Sequence, residues 1–402
     1  MPNENLQAAK KAKNDEFYTQ YPDIQKEVNA YLEFDPDVFR GKTILCPCDD
    51  PEWSNFTKFF AQNFEFFGLK KLISTSYAIE SKNNMMLSWN PTDFETGSPE
   101  YDTDRSKRNG KIFVLDHDTN QNGKIDIDDL EWKYMDMDGD FRSNEVTALR
   151  EEADIIITNP PFSMFREFLA WIMKGKKKFL IIGSMNAITY KEVFPYIQEN
   201  KMWLGNGFHK GNAFFKPLGD ANSYAGGVYD PQTGLVKFRN CCWLTNLDHA
   251  RRHEPLSLMT MEDNLKYSKH KELKGRSDYL HYDNYDAIEV PYTDAIPSDY
   301  SGVMGVPVSF LDKYCPEQFE IVGMISAPSD PQTLNLGKDY SKYIGYTQDG
   351  KPNGRTGSTF GKCPAIVMDD GIHPYYEKDG IRVQTTYHRI FIRHLNPKES
   401  KK

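Results

Sequence analysis

Residues 153–163 read ADIIITNPPFS, and this stretch predicts how the middle of the chain folds. Residues 154–158 form a short, isoleucine-rich apolar run, which is typical of a buried strand. The strand must end at Asn159, because neither of the two prolines that follow has an N–H to donate to a neighbouring strand. The sequence therefore predicts a stiff loop that carries Asn159 and Phe162 at the carboxyl end of a strand, where open α/β sheets bind ligands. An ordinary strand-to-helix connection is the alternative.

Strand and helix patterns alternate on both sides of this stretch, which predicts a parallel sheet with helices on its faces. The predicted strands are 43–48, 71–77, 154–158 and 179–182, and the predicted helices are 53–66, 145–152, 162–173 and 191–199, after a helical lead-in within 1–40. Residues 112–115 and 132–137 are expected to pair as a hairpin, inserted at about 111–137. After residue 205 the alternation stops, so we expect one domain over 1–205 and a second over 206–402.

Composition excludes several classes of protein. The chain has 402 residues, of which 39% are hydrophobic and 13% aromatic, so it can bury a large core and does not resemble a disordered chain. We find no apolar run long enough to span a membrane. Six cysteines are too few for a disulfide framework in a chain of this length, and none has the spacing of a zinc site. We therefore expect a cytoplasmic protein with no structural metal.

The charge does not identify the partner. The net charge is −9, which by itself argues against a nucleic acid. The distribution is uneven, however, because residues 201–402 carry roughly equal numbers of acidic and basic side chains and residues 1–200 hold the acidic excess. An acidic first half suits a cationic small molecule, while basic clusters in the second half can still meet a polyanion.

Polar side chains follow three predicted strands. Asp49 and Asp50 come after the strand at 43–48, and their carboxylates can hold a ribose or an amino-acid moiety. Asp140 and Phe141 lie in a tight turn, where a carboxylate beside a ring suits an adenine. Asn159, which follows the strand at 154–158, is the third polar side chain of this kind. A dinucleotide site is disfavoured because no G-x-G-x-x-G motif is present. Each feature taken singly can also be an ordinary solvated turn.

Six stretches carry a resemblance that covers most of the chain. They are NDEFYTQ (14–20), LCPCDDPEWSNF (45–56), GDFRSNE (139–145), ADIIITNPPFSMFREF (153–168), KFLIIGSMNAITYKEVF (178–194) and GVMGVPVSFLDKYCPEQFEIVGM (302–324). With these motifs in this order, the chain resembles the EcoRI-type family of adenine-specific (N6) DNA methyltransferases, which use S-adenosylmethionine. The first motif lacks the glycine-rich turn of methyltransferases at large, as it does in this family.

The resemblance implies a fold and a set of site residues. The implied fold is α/β: a Rossmann-like methyltransferase sheet with a C-terminal mixed α/β target-recognition region. The implied catalytic loop is Asn159, Pro160, Pro161 and Phe162. The implied cofactor-binding residues are Tyr18, Thr19, Asp49, Asp50, Asp140, Phe141 and Asn159.

The expected function is site-specific methylation of a flipped-out adenine in double-stranded DNA. Such an enzyme is either the modification arm of a restriction–modification system, with a cognate endonuclease as partner, or an orphan methylase. Readout of DNA needs polar side chains on loops and cationic contacts to phosphates. The residues predicted to bind DNA are Lys210, Asn212, Arg251, Arg252, Lys269 and Lys271.

Two alternatives stay open. One is methylation of RNA or of a protein glutamine amide, because these groups suit a similar loop. The other is a non-catalytic, calcium-responsive DNA-binding protein. It is suggested by residues 118–129 (DTNQNGKIDIDD), which follow the EF-hand spacing with Asp in place of Glu at position twelve. A polar hairpin tip is the competing interpretation of that segment.

Overall fold

The computed structural model describes residues 17–78, 91–208, 212–217, 227–324, 332–360, 363–368, 371 and 373–398. These residues form two compact units. The first unit contains the described residues up to Ala187 and those from Met202 to Ala250, and the second contains Ile188–Lys201 and the described residues from Arg251 onward. Within these ranges, no helix has the length and apolar character needed to cross a membrane.

The first unit is built from two sheets. Its strands are β1 (Phe17–Thr19), β2 (Thr43–Cys46), β3 (Lys71–Ser76), β4 (Lys111–Leu115), β5 (Glu131–Tyr134), β6 (Ile155–Thr158), β7 (Lys178–Ser184), β8 (Trp203–Leu204), β9 (Ala213–Pro217), β10 (Tyr229–Asp230), β11 (Leu235–Phe238) and β12 (Cys241–Thr245). The larger sheet has the mixed order β5-β4-β3-β2-β6-β7-β12-β8. Its four central strands, β3, β2, β6 and β7, run parallel, and the outer strands are antiparallel to their neighbours.

The helices of this unit cover the core with aromatic and aliphatic side chains. They are α1 (Tyr21–Phe34), α2 (Asn55–Gln62), α3 (Phe64–Phe67), α4 (Asp93–Thr96), α5 (Arg105–Arg108), α6 (Asn144–Glu152) and α7 (Phe165–Lys174). Helix α1 buries Ile24, Val28 and Tyr31 at helical spacing. Helix α2 begins after Ser54, whose hydroxyl accepts a hydrogen bond from the Phe56 N–H at 3.1 Å.

The predicted alternation of strands and helices is confirmed in this unit. All four residues of β6 are buried, as expected for the isoleucine-rich run, and the sheet continues from it through parallel pairing on both sides. The predicted hairpin is confirmed as β4 and β5, which pair antiparallel. Strand β3 lies on one side of β2, and β7 lies on the opposite side of β6, so the sheet grows outward in both directions from the β2–β6 pair. The carboxyl ends of β2 and β6 therefore form a topological switch point.

A smaller sheet of the first unit has the order β1-β9-β11-β10. Strand β1 pairs antiparallel with β9, so that Thr19 lies opposite Phe215. Phe215 and Val236 from this sheet are buried in the same core cluster as residues of β2, β6 and β7. The sequence interpretation included 17–19 in a helical lead-in and did not predict this sheet.

The second unit contains two further sheets. Its elements are α8 (Phe194–Gln198), α9 (Met261–Tyr267), β13 (Ile288–Glu289), β14 (Met304–Pro307), β15 (Phe319–Met324), β16 (Ile344–Tyr346), β17 (Pro352–Thr356), β18 (Ala365–Val367), β19 (Tyr375–Lys378), β20 (Ile381–Thr385) and β21 (Arg389–His394). One sheet has the order β13-β14-β21-β15 and the other the order β17-β16-β19-β20-β18. In the first of these sheets, Arg389 Nε lies 3.1 Å from both carboxylate oxygens of Glu289, and both residues are buried.

The division into units differs from the boundary predicted at residue 205. Strands β9, β11 and β12 belong to the first unit, and α8 belongs to the second. Strand β12 joins the large sheet antiparallel to β7. Because an antiparallel neighbour needs no helical crossover, the helix–strand alternation ends before the sheet is complete. The assignment of the second part to target recognition stays a prediction.

Candidate functional site

The loops that follow β2 and β6 are joined at the switch point by one carboxylate. Thr158, the last residue of β6, donates its hydroxyl to Asp49 Oδ2 at 2.6 Å. Ser54, at the start of α2, donates its hydroxyl to Asp49 Oδ1 at 2.6 Å. The two oxygens of this buried carboxyl group each accept one hydroxyl. Asp49 therefore holds the chain at Asn159 in register with the loop after β2.

Asp49 and Asp50 have different environments. Asp49 is 4% exposed, and its main-chain N–H donates to the Thr75 carbonyl at 2.9 Å. The structure thus makes Asp49 a positioning residue, and its predicted contact with a cofactor stays a prediction. Asp50 is half-buried, and its Oδ1 accepts from the Glu52 N–H at 2.9 Å, which shapes the turn into α2.

A buried lysine lies beside the same loop. Lys111 Nζ is 2.8 Å from Glu95 Oε2, 3.3 Å from Glu52 Oε2 and 4.0 Å from Asp50 Oδ2. Burial opposes its charge, but these carboxylates raise the pKa of Lys111 above its ordinary value, so the ammonium stays charged. Burial, together with Asp50, raises the pKa of Glu52, although a hydrogen bond from Thr92 opposes the shift.

Sequence reasoning missed this cluster. Glu95 is 1% exposed, and its second oxygen accepts from the Tyr134 hydroxyl at 2.7 Å. Lys111 lies opposite Ser76 in the antiparallel pair β3–β4, which puts it at the carboxyl end of β3. The only local signal was a lysine at the start of an apolar strand, and such a residue is usually solvated.

Asp140 is held by an arginine two residues later. Asp140 Oδ1 accepts from Arg142 Nε at 2.9 Å, and Oδ2 accepts from Arg142 Nη2 at 2.6 Å. Arg142 also reaches Glu167 on α7, with Nη1 3.0 Å from Oε2. Burial opposes ionisation of Asp140, but the Arg142 hydrogen bonds prevail and lower the pKa of its carboxyl below the ordinary range. Asp140 is therefore a carboxylate at neutral pH.

A glycine turn brings Asp140 to the edge of the sheet. Gly139 has φ of +81°, and a Cβ at this position would lie 2.2 Å from the Ser76 carbonyl oxygen. The Ala78 N–H donates to the Asp138 carbonyl at 2.7 Å. Residues 138–140 are thereby pinned to the chain that leaves β3, whose carboxyl end lies at the same edge as those of β2 and β6.

Phe141 does not have an open ring face. It is 5% exposed, and its ring packs edge-to-face on Phe168 at 5.0 Å and on Trp171 at 5.7 Å between centroids. This ring is therefore part of the core that supports the turn, and its stacking on an adenine stays a prediction. A contact between a cofactor and the main chain at Phe141 stays a prediction.

The predicted catalytic loop follows β6 as the prolines require. Asn159 and Phe162 are half-buried and Pro160 is buried. The Met164 N–H donates to the Pro161 carbonyl at 3.0 Å, which closes a short turn before α7. The loop therefore holds Asn159 with little conformational freedom.

The small sheet contacts this loop through aromatic rings. The ring of Phe162 lies edge-on to Phe215 at 6.5 Å and to Phe238 at 6.2 Å between centroids. Both Phe215 and Phe238 lie within 206–402, the range predicted for the second domain. Their contact with Phe162 brings β1, the partner of β9, to the same part of the molecule.

Tyr18 and Thr19 lie on β1. The Thr19 carbonyl accepts from Asn55 Nδ2 at 2.7 Å, which connects β1 to the start of α2. Thr19 is 2% exposed, and its hydroxyl has no hydrogen-bond partner among the described residues. A buried hydroxyl without a partner is costly, so Thr19 is a candidate for a contact with a bound molecule. Tyr18 is half-buried and lies opposite Lys216.

The residues predicted to bind DNA are divided between the two units. Lys210 lies outside the described residues, and Asn212 is a half-buried residue of the first unit. The others are in the second unit, where Arg251 pairs with Asp312 and Arg252 Nη2 donates to Asn200 Oδ1 at 3.1 Å.

Of the two predicted DNA-binding lysines in the second unit, only Lys269 makes an ion pair among the described residues. Lys269 Nζ lies 2.7 Å from Asp294 Oδ2, while Lys271 is exposed. Exposed ion pairs contribute little stability and exchange readily for a phosphate. The role of all six residues in binding DNA stays a prediction.

The EF-hand-like segment folds as the tip between β4 and β5. Asp129 Oδ1 accepts from the N–H groups of Thr119 and Asn120 at 2.9 and 3.1 Å, and Asp118 Oδ2 accepts from the Gly123 N–H at 2.8 Å. In the described part of the chain, no three His, Cys, Asp or Glu side chains are grouped so that they could hold a metal ion.

Comparison with known proteins identifies relatives of this chain. A sequence profile described as "Adenine-specific methyltransferase EcoRI" matches residues 5–394. Type II methyltransferase M.EcoRI from Escherichia coli is 42% identical over 322 residues, 80% of this chain and 89% of the relative. Type II methyltransferase M.MpnI from Mycoplasma pneumoniae is 33% identical over 325 residues, 80% of this chain and 85% of the relative. No solved structure matched the chain.

The match extends over both structural units, and it includes the loop at Asn159 and the turn at Asp140. Type II methyltransferase M.MgeORF184P from Mycoplasma genitalium shows a similar relation, with 32% identity over 330 residues, 80% of this chain and 86% of the relative. The resemblance noted in the sequence is therefore confirmed. The chain belongs to the EcoRI family of adenine-specific methyltransferases.

Proposed function

We propose that this protein transfers a methyl group from S-adenosylmethionine to the N6 amine of a specific adenine in double-stranded DNA. Membership of the family provides the reaction class, adenine-specific methyl transfer. We assign the catalytic loop to Asn159, Pro160, Pro161 and Phe162, on a Rossmann-like sheet. One observation carries this assignment: the Thr158–Asp49 hydrogen bond of 2.6 Å, which fixes the loop after β6 at the switch point of the sheet.

The loop supplies hydrogen-bond acceptors. An aromatic amine is a poor nucleophile, because its lone pair is delocalised into the ring. The side-chain oxygen of Asn159 and the carbonyl of Pro160 accept its two hydrogens and so favour a localised lone pair on nitrogen. The prolines and the Thr158 hydrogen bond fix these two acceptors in place. Acceptors that are already fixed need no reorganisation in the transition state. Phe162 supports the base, which must leave the duplex to reach the loop.

The residues around the loop suit the cofactor. S-adenosylmethionine supplies an activated methyl group on a cationic sulfonium, next to an ammonium and a ribose. Asp50 and Glu52, at the carboxyl end of β2, have 14% and 11% of their side-chain surface exposed and can attract the positive charges or accept from hydroxyls. Asp140 provides a third carboxylate at this edge. The buried hydroxyl of Thr19 offers one more hydrogen bond.

We assign recognition of the target sequence to the second part of the chain, with Arg251, Arg252, Lys269 and Lys271 as candidate contacts. The relatives carry the name Type II methyltransferase, and we extend their role to this chain as the modification enzyme of a restriction–modification system. An endonuclease that cuts the same sequence is the expected partner.

Transfer of radiolabelled methyl from S-adenosylmethionine tests the proposal. Duplex DNA, single-stranded RNA and a glutamine-containing peptide are offered in parallel, and single-molecule sequencing of DNA from expressing cells reports the modified base and its context. We expect label in duplex DNA and N6-methyladenine within one short sequence. Label in RNA or peptide alone, or in no acceptor, would refute the proposal.

A further inference from the structure

Strands β16 and β17 of the second unit form a hairpin whose second strand is exposed along its whole length. Strand β17 lies at the edge of its sheet, and nine consecutive residues, 348–356, are all exposed. Packing therefore does not explain the residues of this segment. The polar side chains of this segment are available to bind a partner in solution.

Hydrogen bonds within the hairpin order its turn despite the exposure. The Thr347 N–H donates to the Lys351 carbonyl at 2.8 Å, and the Thr347 hydroxyl donates to Asp349 Oδ1 at 2.6 Å. Gly350 has φ of +76°, which the tight turn requires. On β17, the side-chain oxygen of Asn353 accepts from the Arg355 N–H at 3.0 Å. A segment that is already ordered loses little conformational entropy when it binds.

The hairpin has a net positive charge, which favours binding to a polyanion. Residues 342–356 contain three cations, Lys342, Lys351 and Arg355, and one carboxylate, Asp349. Arg355 makes no ion pair with any described residue, and Lys351 pairs only with its exposed neighbour Asp349 at 3.0 Å. Such surface pairs are weak and can be exchanged for phosphate contacts.

The sequence of β17 also disfavours pairing with a strand of another protein chain. The strand begins with Pro352, which lacks an N–H, and follows an exposed lysine, and both are common means by which edge strands avoid further pairing. A two-stranded ribbon fits the major groove of DNA, which is about 12 Å wide. Arginine and glutamine are the side chains that form paired hydrogen bonds to guanine and adenine, and the hairpin exposes Gln348 and Arg355.

We propose that the β16–β17 hairpin enters the major groove and reads part of the target sequence. Gln348 and Arg355 contact base edges, and Lys342 and Lys351 contact phosphates. This inference rests on the proposed function, in which duplex DNA is the substrate. It adds a reading element outside the segments at 210–212, 251–252 and 269–271.

Two substitutions test the phosphate contacts. Binding of the full-length protein to a random-sequence duplex of about 30 base pairs is measured over a range of salt concentrations. In Lys342→Ala/Lys351→Ala, the slope of log affinity against log salt should fall by about two, because each lost phosphate contact removes about one. Lys313→Ala/Arg393→Ala, which removes two exposed cations of the same unit outside the hairpin, should keep the wild-type slope. Equal slopes for the two double variants would overturn the proposal.

Arg355→Ala and Gln348→Ala test base reading. Single-molecule sequencing of DNA from expressing cells should show methylation of sequences that differ from the wild-type site at one position. Discrimination at that position should drop by roughly 5- to 150-fold, the range for one paired contact to a base. Cofactor affinity and melting temperature should equal those of the wild type.

The results separate this inference from the proposed function. A wild-type protein that methylates DNA, together with an unchanged sequence preference in both single variants, would overturn only the role of the hairpin. A loss of self-association in the variants with DNA binding unaltered would instead assign β17 to pairing with a second copy, and would also overturn it. A wild-type protein that methylates no DNA would refute both proposals.

Discussion

Thr158→Val removes the hydroxyl that connects the proposed catalytic loop to the loop after β2, and it preserves the shape of the side chain. Asp49 is 4% exposed and uses one carboxylate oxygen for Thr158 and the other for Ser54, each at 2.6 Å. A buried acceptor that loses its hydrogen-bond partner costs about 1–3 kcal/mol, so the free energy of unfolding should fall by that amount in urea denaturation. Asn159 is the next residue, and its displacement should reduce kcat for methyl transfer by up to about 100-fold.

Thr147→Val is the matched control. It makes the same substitution on α6, where the threonine hydroxyl accepts from Trp171 Nε1 at 3.1 Å. Loss of this neutral hydrogen bond should cost about 1 kcal/mol and leave kcat unchanged. If Thr158→Val kept wild-type stability and wild-type kcat, the connection through Asp49 would have no role in positioning Asn159. If both variants lost kcat equally, the loss would be a general effect of stability.

Three further predictions concern single side chains. Asn159→Ala should lower methyl transfer to DNA by at least about 100-fold while cofactor affinity, measured by calorimetry, stays near the wild-type value. Asp140 has a lowered pKa, so its contribution to stability is present above its ordinary pKa of about 3.9 and is lost as the pH falls through the lower folded value. The difference in unfolding free energy between wild type and Asp140→Asn should therefore be constant from about pH 8 to about pH 5 and shrink below about pH 4; a difference that shrinks already above pH 5 would contradict this. Lys111→Met should lower the unfolding free energy by about 3–5 kcal/mol, since it leaves the buried Glu95 carboxylate unpaired, whereas Lys133→Met on the exposed face of β5 should change it by less than about 0.5 kcal/mol.

The location of the candidate catalytic loop could be predicted because its cause is local. A run of isoleucines predicts a buried strand wherever it occurs, and two prolines end a strand whatever surrounds them. The structure has β6 end at Thr158, as this reasoning requires. The order of strands and helices over 43–199 follows from the same kind of local pattern, and so does the hairpin of β4 and β5.

Phe141 shows what the local pattern leaves open. A carboxylate followed by an aromatic ring in a glycine turn is compatible both with an adenine site and with a turn anchored by its ring. The packing of this ring depends on Phe168 and Trp171, which lie on α7. The compact units divide the chain differently from the boundary predicted at residue 205 for a similar reason, since the antiparallel position of β12 has no signature in the alternation of elements.

The sequence by itself determined the strands β2, β3, β6 and β7, the hairpin of β4 and β5, the stiff loop at Asn159 and, through its motifs, the family. Only the tertiary structure decided which side chains meet. Thr158 contacts Asp49 across 109 residues of chain, and Lys111 contacts Glu52 across 59 residues. Strand β1 pairs with β9. Local periodicity depends on backbone geometry within a few residues, whereas these contacts depend on how strands are ordered in the sheet, and that order is set by the packing of the whole core.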